Sequence, residues 1–496
     1  MKPNFHMSLA ASYNERGIQG FTNTVTDAID QRKINSIYEP VKNAMTELRT
    51  LYLAKRPGVA ELGSTFGVST QVAYLISQPA GTNSPVGNAW VYSVNGNDVR
   101  VSANNSTVVI ATNAGAAPAY VDKMSISGTD TAIVQTRDPS NASTRAFYSS
   151  AIGTWTEITD TVFTGAGING KMEFMDGFAF VLGGSPLSVY NSNINTVSTW
   201  NAQQKIAKQI VWDSPVGLAK RNKEILAFGY ETVEVFRNVG NPDGSPLAVI
   251  PNKFARIGLN SQQGGTSYTH YYAEVGGRIY FIGSPSVNNF SLSAYSYDGE
   301  RFEKVSPPYI DKILIERASS LCSVNRMVFA GKEAVAFALD ATTATTQRWL
   351  MFFPEWKDWF EWQSTVFTPV NGGIGYYLGV GSNQHKIYSI SNTTSNWRDA
   401  GTDYTWTHQF KMPKKDDATQ RLDMFGVKGA TSRSTSSLNV SFSTDDWQTM
   451  TAARAIDMTE SQKFITRCGV FDDLCVRLTH TANLDIRLEQ AFARIT

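Results

Sequence analysis

A chain of 496 residues exceeds what one hydrophobic core organises, so several domains or a repeat architecture are expected. Charged residues make up 18% and apolar ones 42%, a balance that suits short strands joined by polar turns better than charge-rich helices. Lys and Arg number 44 against 43 Asp and Glu, and the densest basic patch, Lys411, Lys414 and Lys415, runs straight into Asp416 and Asp417. That excludes the clustered cations with which a groove grips a nucleic-acid backbone.

Residues 1–65 differ in character from the rest of the chain. The opening MKPNFHMSLAASYNERG has no long apolar stretch and does not read as a secretory signal. No run approaches the roughly 18 apolar residues of a membrane span, so a soluble protein made in the cytoplasm, without membrane insertion, is expected. Val41, Ala44, Met45 and Leu48 fit helical spacing, but Pro40 and Arg56-Pro57-Gly58 leave room only for a short helix or an extended arm. Such an arm cannot bury itself locally and is expected to lie on another domain or on a neighbouring subunit.

From about residue 66 to 400 one pattern recurs: an apolar run, a glycine, a polar turn and a second apolar run. It reads Phe178–Leu182, Gly183 and Leu187–Tyr190, then Ile225–Phe228, Gly229 and Val233–Phe236, then Ile279–Ile282, Gly283 and Leu292–Tyr297. Met327–Ala330 with Gly331 and Ala334–Leu339, and Tyr376–Val380 with Gly381 and Lys386–Ile390, continue it. A period of roughly 50 residues is that of a four-stranded propeller blade, which predicts six or seven blades. Trp200, Phe302, Trp359 and Trp397 stand downstream of hairpins, where they could fill the space between blades. A large antiparallel sandwich with evenly spaced turns is the competing architecture. Tyr309–Arg317, after Pro307-Pro308, is the helix candidate.

Residues 401–496 change rhythm. Tyr404–Lys411, Leu422–Val427, Leu438–Phe442, Leu474–Leu478 and Ile486–Ile495 read as strands without the glycine hairpin, hence a separate small β-sandwich. The expected fold is therefore all-β: an N-terminal extended arm (1–65), a β-propeller (66–400) and a C-terminal β-sandwich-like domain (401–496).

Signals for chemistry are weak. Gly165-Ala166-Gly167-Ile168-Asn169-Gly170-Lys171 matches two nucleotide-binding patterns, but Met172 stands where a magnesium-binding Ser or Thr belongs, and strand rather than helix comes next. It reads as a glycine-rich turn. Cys322, Cys468 and Cys475 are too few for a disulfide framework and imply a reducing site of synthesis. Cys468 and Cys475 lack a second Cys or His pair for zinc, and His6, His270, His385, His408 and His480 are scattered. Asn241-Pro242-Asp243-Gly244-Ser245 lacks the ligands of a calcium loop and reads as a turn. No metal, cofactor or Ser/His/Asp arrangement is expected. Glu355, Asp358 and Glu361, interleaved with Trp356, Trp359 and Trp362, offer the one enzymatic alternative, a propeller glycoside hydrolase or depolymerase, with a carbohydrate- or protein-binding propeller as its non-catalytic version. The other reading is a hairpin whose tryptophans pack between blades and whose carboxylates face water.

Asn35-Ser36-Ile37-Tyr38-Glu39-Pro40-Val41-Lys42-Asn43 and Leu51-Tyr52-Leu53-Ala54-Lys55-Arg56-Pro57-Gly58 resemble the opening of the tail hub, or nozzle, proteins of short-tailed bacteriophages, also called packaged-DNA stabilisation proteins. Ile225–Gly229 through Val233–Phe236, Gly276–Gly283, Tyr309–Leu314, Cys475–Leu478 and Asp485–Ile495 resemble further pieces in the same order. The resemblance implies a homohexameric ring in the virion tail, below the portal and head–tail adaptor. Such a ring would continue the channel for double-stranded DNA, hold packaged genome until ejection, carry tail fibres or spikes and meet a needle or plug. It implies no catalytic residues. Tyr38, Tyr52 and Arg56 of the arm are the candidates for contact with a neighbouring subunit.

Overall fold

In this computed structural model the structure describes residues 5–8, 12–14, 17–19, 32–42, 49–61, 70–77, 89–95, 98–103, 106–112, 117–137, 144–150, 154–184, 188–241, 243–259, 272–285, 291–317, 323–329, 332–340, 345–368, 376–383, 385–390, 397–412, 419–430, 435–445, 447–471 and 474–496. These residues form two units. One comprises Glu61–Gln347 and Phe367–Tyr388; the other comprises Met1–Ala60, Arg348–Val366 and Ser389–Thr496.

The first unit is built of consecutive antiparallel sheets. Among the described residues four-stranded meanders begin at Thr70, Ala117, Asn169 and Pro215, and a fifth sheet, from Tyr272, adds the short strand Gly258–Leu259 to its four. The hairpin Ser323–Phe329 with Lys332–Ala338 comes after it. First strands of successive sheets run beside one another, Thr70–Ser77 with Ala117–Ile126, Ala117–Ile126 with Asn169–Met175, and Asn169–Met175 with Pro215–Arg221, so they form the inner edges of a radial array. The strand Tyr376–Gly379 lies against Thr70–Ser77, bringing distant parts of the chain together. This is a β-propeller.

Unbroken apolar runs arise here because each sheet is covered on both faces. In Glu224–Gly229, Ile225 and Ala227 pack with Phe180, Leu182 and Val189 of the preceding sheet, while Leu226 and Phe228 pack with Ile279, Phe281 and Tyr297 of the next. Alternate side chains of a strand point to opposite faces, so a strand between two neighbours needs apolar residues at every position. Trp200 fills the seam with the preceding sheet, alongside Phe163 and Ile133, and Phe302 packs at the edge of the seam holding Phe281 and Tyr297. Trp359 and Trp397 belong to the other unit. The recurring glycine closes the second strand where the incoming chain passes. A Cβ on Gly229 would overlap the Asp213 carboxylate, on Gly183 the Ala166 carbonyl, and on Gly283 it would lie 2.6 Å from Ile257 Cγ2. The 327–339 repeat is displaced by one strand, its two runs being the first and second strands of their sheet. Gly331 and Cys322 lie outside the described residues. The helix Pro308–Glu316 matches its sequence reading.

The second unit is a sandwich. One sheet pairs Phe464–Phe471, Gln420–Gly429, Arg487–Ile495, Arg49–Lys55 and Ser36–Lys42 in that order. The other runs Asp358–Ser364, Arg32–Ile34, Trp406–Lys411, Cys475–His480, Ser437–Ser443, Arg454–Asp457. Phe425 of the first sheet meets Phe410 and Phe442 of the second at ring-centroid distances of 6.4 and 5.8 Å. The arm is extended: Arg32–Ile34 joins one of these sheets, Ser36–Lys42 and Arg49–Lys55 the other, and Ser12–Asn14 pairs with Gly17–Gln19 separately. Val41 lies in strand, and 43–48, the rest of the helical spacing, are outside the described residues. Strands Arg454–Asp457 and Phe464–Phe471 are additions to the sequence reading.

Candidate functional site

A set of connected buried polar groups lies in the sandwich unit, where the arm changes sheets at Asn35. Its φ of 54° is the left-handed conformation that Asn tolerates better than other non-glycine residues, and it lets Arg32–Ile34 and Ser36–Lys42 diverge. Both ends of the Asn35 side chain are engaged: Oδ1 accepts from Arg56 Nε at 3.1 Å and Gln363 N at 3.0 Å, and Nδ2 donates to Thr405 O at 2.9 Å. Its backbone N–H donates to Glu361 O at 2.7 Å.

Arg56 is 1% exposed. Its guanidinium forms a bidentate pair with Asp399, Nη1 to Oδ1 at 2.9 Å and Nη2 to Oδ2 at 2.7 Å, and also donates to Gln363 O. The Tyr404 ring lies 4.0 Å from it, and the Tyr404 hydroxyl donates to the Arg56 carbonyl. Asp399 also accepts from Ser364 Oγ at 2.8 Å. Every hydrogen-bonding edge of this buried pair therefore has a partner, the condition under which a buried ion pair holds. Burial, and then the charge of Arg56, push the neighbouring Lys55 ammonium down to about 8.

Around the next turn Arg32 forks onto Glu361, Nε to Oε2 at 3.1 Å, and Lys33 pairs with Asp358, which also accepts from the Tyr38 hydroxyl at 2.6 Å. The Tyr38 ring packs edge-on against Trp356 and Phe360 at 5.4 and 5.0 Å. Two of the three arm residues named as subunit-contact candidates have partners within their own unit. Arg56 and Tyr38 face the interior of their own unit, because their polar groups are matched there, and Tyr52 alone of the three is half-buried.

The carboxylate–tryptophan segment does not assemble into a sugar site. Trp356, Trp359 and Trp362 are buried, so none offers a ring face to a pyranose. Asp358 and Glu361 are held by Lys33 and Arg32, and Glu355 is on the surface. The tryptophans are buried, but in the sandwich unit rather than between blades, and Asp358 and Glu361 face cations rather than water. Sequence reasoning missed Asp399, Tyr404 and Asn35 as members of one cluster, since they lie up to 370 residues from the groups they bind.

The propeller carries a second cluster on its inner strands. Lys171 pairs with Asp122 and lies 3.5 Å from Glu173, whose carboxylate accepts from the Tyr272 hydroxyl. Burial opposes the Lys171 charge, but Asp122 and Glu173 outweigh it and hold its ammonium well above the ordinary value; burial raises the Glu173 carboxyl and the Tyr272 hydroxyl. The glycine-rich motif before it runs from the helix Thr161–Gly165 into the strand Asn169–Met175, the reverse of a phosphate-binding turn. A Cβ on Gly170 would lie 2.6 Å from Gly217 Cα, so glycine there serves the close approach of two inner strands. Among the described residues Cys468, half-buried, and Cys475, buried, form no disulfide. Asn241 Nδ2 donates to Ser245 O at 3.1 Å, and Pro242 between them lies outside the described residues. Among the described residues no group of three or more His, Cys, Asp and Glu is arranged to hold a metal ion, and no helix is long and apolar enough to cross a membrane.

Comparison with known proteins adds the family. A search of curated sequences finds no match. Among solved structures the chain is similar to an exo-β-1,3-galactanase from Phanerochaete chrysosporium, at 9% identity over 84% of this chain and 100% of that one, TM-score 0.28. It is similar to the β-propeller domain of the Trilobed protease from Pyrococcus furiosus, at 10% identity over 67% and 99%, TM-score 0.34. A puromycin-hydrolysing peptidase from Mycobacterium tuberculosis gives 8% identity over 72% and 61%, TM-score 0.35. Likeness at this level carries no argument about activity. The family model described as "Bacteriophage P22 Gp10, beta-propeller" matches residues 20–347, most of the chain and nearly all of the repeated sheets. The chain belongs to that phage-stabilisation β-propeller family.

Proposed function

We propose that this chain is the tail-hub, or nozzle, subunit of a short-tailed phage. In this reading it forms a six-membered ring below the portal and adaptor, continues the DNA channel, retains packaged DNA and anchors fibres or spikes. The observation that carries the reading is the family match across the propeller, since the family is one of structural phage proteins. The architecture suits a wall: sheets buried on both faces, and a sandwich into which the arm is bolted by the Arg56–Asp399 and Arg32–Glu361 pairs. A net charge of +1, without basic clusters, suits a surface past which DNA slides without being held. Tyr52 remains the arm residue offered to a neighbouring subunit. A needle or plug at the mouth would complete retention.

The test is assembly of particles without this chain. Heads should fill and then lose their DNA, and adding the purified protein before release should restore retention. Particles that keep their DNA and eject it normally without the chain would refute the reading.

A further inference from the structure

Apolar side chains close the seams between adjacent propeller sheets, and most polar ties between sheets also join neighbours. Between the second and third sheets Asp122 pairs with Lys171, and buried Gln135 accepts from Met172 N at 2.8 Å. Between the third and fourth, Lys220 Nζ donates to Phe174 O at 2.8 Å. Between the fourth and fifth, Arg221 Nε donates to Gly277 O at 2.6 Å, and the Tyr297 hydroxyl donates to Glu224 Oε2 at 2.9 Å.

One tie departs from that rule. Glu173 stands on the first strand of the third sheet and Tyr272 on the first strand of the fifth. The fourth sheet, whose first strand is Pro215–Arg221, packs between those two. The Tyr272 hydroxyl nevertheless donates to the Glu173 carboxylate, 99 residues away in sequence and past the intervening sheet. Lys171 lies 3.5 Å from the same carboxylate and 5.9 Å from the centre of the Tyr272 ring, and it also pairs with Asp122 of the second sheet. The four side chains form one continuous polar path across the inner strands of four successive sheets, three of which contribute groups to it. Glu173 is 5% exposed, so its partners replace water, and removing one leaves a buried carboxylate short of donors.

We propose that Asp122, Lys171, Glu173 and Tyr272 are a strap across the inner rim of the propeller, which makes the second to fifth sheets open as one unit. An apolar seam holds only the two sheets that share it, so local opening without the strap would proceed sheet by sheet. With the strap in place, the inner strand of the fourth sheet is released only when the third and fifth part. The inference stands apart from the ring reading, since it concerns a single chain.

The test is native-state hydrogen exchange on the purified full chain and three variants. Tyr272→Phe removes one hydroxyl and should speed exchange roughly 10- to 100-fold in 169–175, in 272–275 and also in 215–221, which contains neither partner. Tyr295→Phe, at a half-buried tyrosine of the fifth sheet outside the strap, should speed exchange in the fifth sheet only. Glu173→Gln keeps an acceptor for Tyr272 but gives up the attraction to Lys171, so it should loosen 117–126 and 169–175 more than 272–275. If Tyr272→Phe acts on the fifth sheet alone, as Tyr295→Phe does, or leaves 215–221 protected, the strap is refuted. Equal loss of protection throughout the chain, the sandwich included, would refute it too, because the hydroxyl would then govern global stability and not the rim.

Discussion

The two units reach stability by opposite routes. In the propeller, strands pair with their sequence neighbours and each sheet leans on the next, so nearly every strand-to-strand register is local. In the sandwich, Arg487–Ile495 pairs with Arg49–Lys55, and Glu361 lies opposite Ile34, so the two ends of the chain and a segment from its middle must meet. The propeller concentrates apolar side chains at its seams, whereas the sandwich adds a buried ionic lock to fix which distant strands come together. Register in a half-buried sheet is set by apolar pattern, but a fully satisfied polar cluster accepts only one arrangement.

The sharpest way to break this contrast is Arg56→Ala, which leaves Asp399 buried without its cation. A loss of about 3–5 kcal/mol is expected, and hydrogen exchange should rise in peptides from 32–60 and 397–412 far more than in the propeller sheets. Equal loss of protection in both units would show that the lock is not specific to the sandwich. The corresponding stress on the propeller is Gly229→Ala, whose Cβ meets the Asp213 carboxylate. A cost of roughly 1–3 kcal/mol is expected, with raised exchange in 208–238.

Acid should separate the units further. Burial, followed by the charge of Lys33, pushes His408 down to about 3, and burial followed by Lys55 pushes His480 down to about 4. Both sit on the paired strands Trp406–Lys411 and Cys475–His480, facing Asp358 and Ser436 as well as those lysines. The unfolded chain takes up these protons near the ordinary value of 6.5, so the stability that neutral histidines preserve is complete above that pH and falls as pH drops toward 4. The slope should be about 1.4 kcal/mol per pH unit for each histidine, and His480→Gln should remove one share of it, read by urea unfolding at pH 7, 6 and 5. A smaller effect separates conformation from bonding at the sheet change. Asn35→Ala and Asn35→Gly lose the same side-chain hydrogen bonds, but alanine is also strained at a φ of 54°, so it should be less stable by about 1 kcal/mol.

Much of the propeller is legible in the sequence because its signal is local. A strand covered on both faces must be apolar throughout, and a second strand ending against an incoming chain must end in glycine, so Ile225–Gly229 and Ile279–Gly283 announce themselves. The region 66–165 is harder to read. There the middle strands of the sheets are diluted by polar residues, as in Asp98–Ala103 and Thr129–Arg137. The sandwich strands that bury one face are readable where alternation is clean, as in Arg487–Ile495. Phe464–Phe471 escapes because Arg467 and Gly469, both at positive φ, interrupt its alternation. The lock cannot be assembled from sequence at all: Asn35, Arg56, Asp399 and Tyr404 carry no spacing that relates them. Tyr38 and Arg56 look available to a neighbour because their partners lie more than 300 residues away.

The central claim is that this family member is a ring-forming part of the virion tail. The most direct measurement is negative-stain imaging of the purified chain, alone and after mixing with the adaptor of the same phage. The account predicts six-fold rings with an open centre in at least one of the two samples. Particles that remain single chains in both, or that assemble with a closed centre, would contradict it.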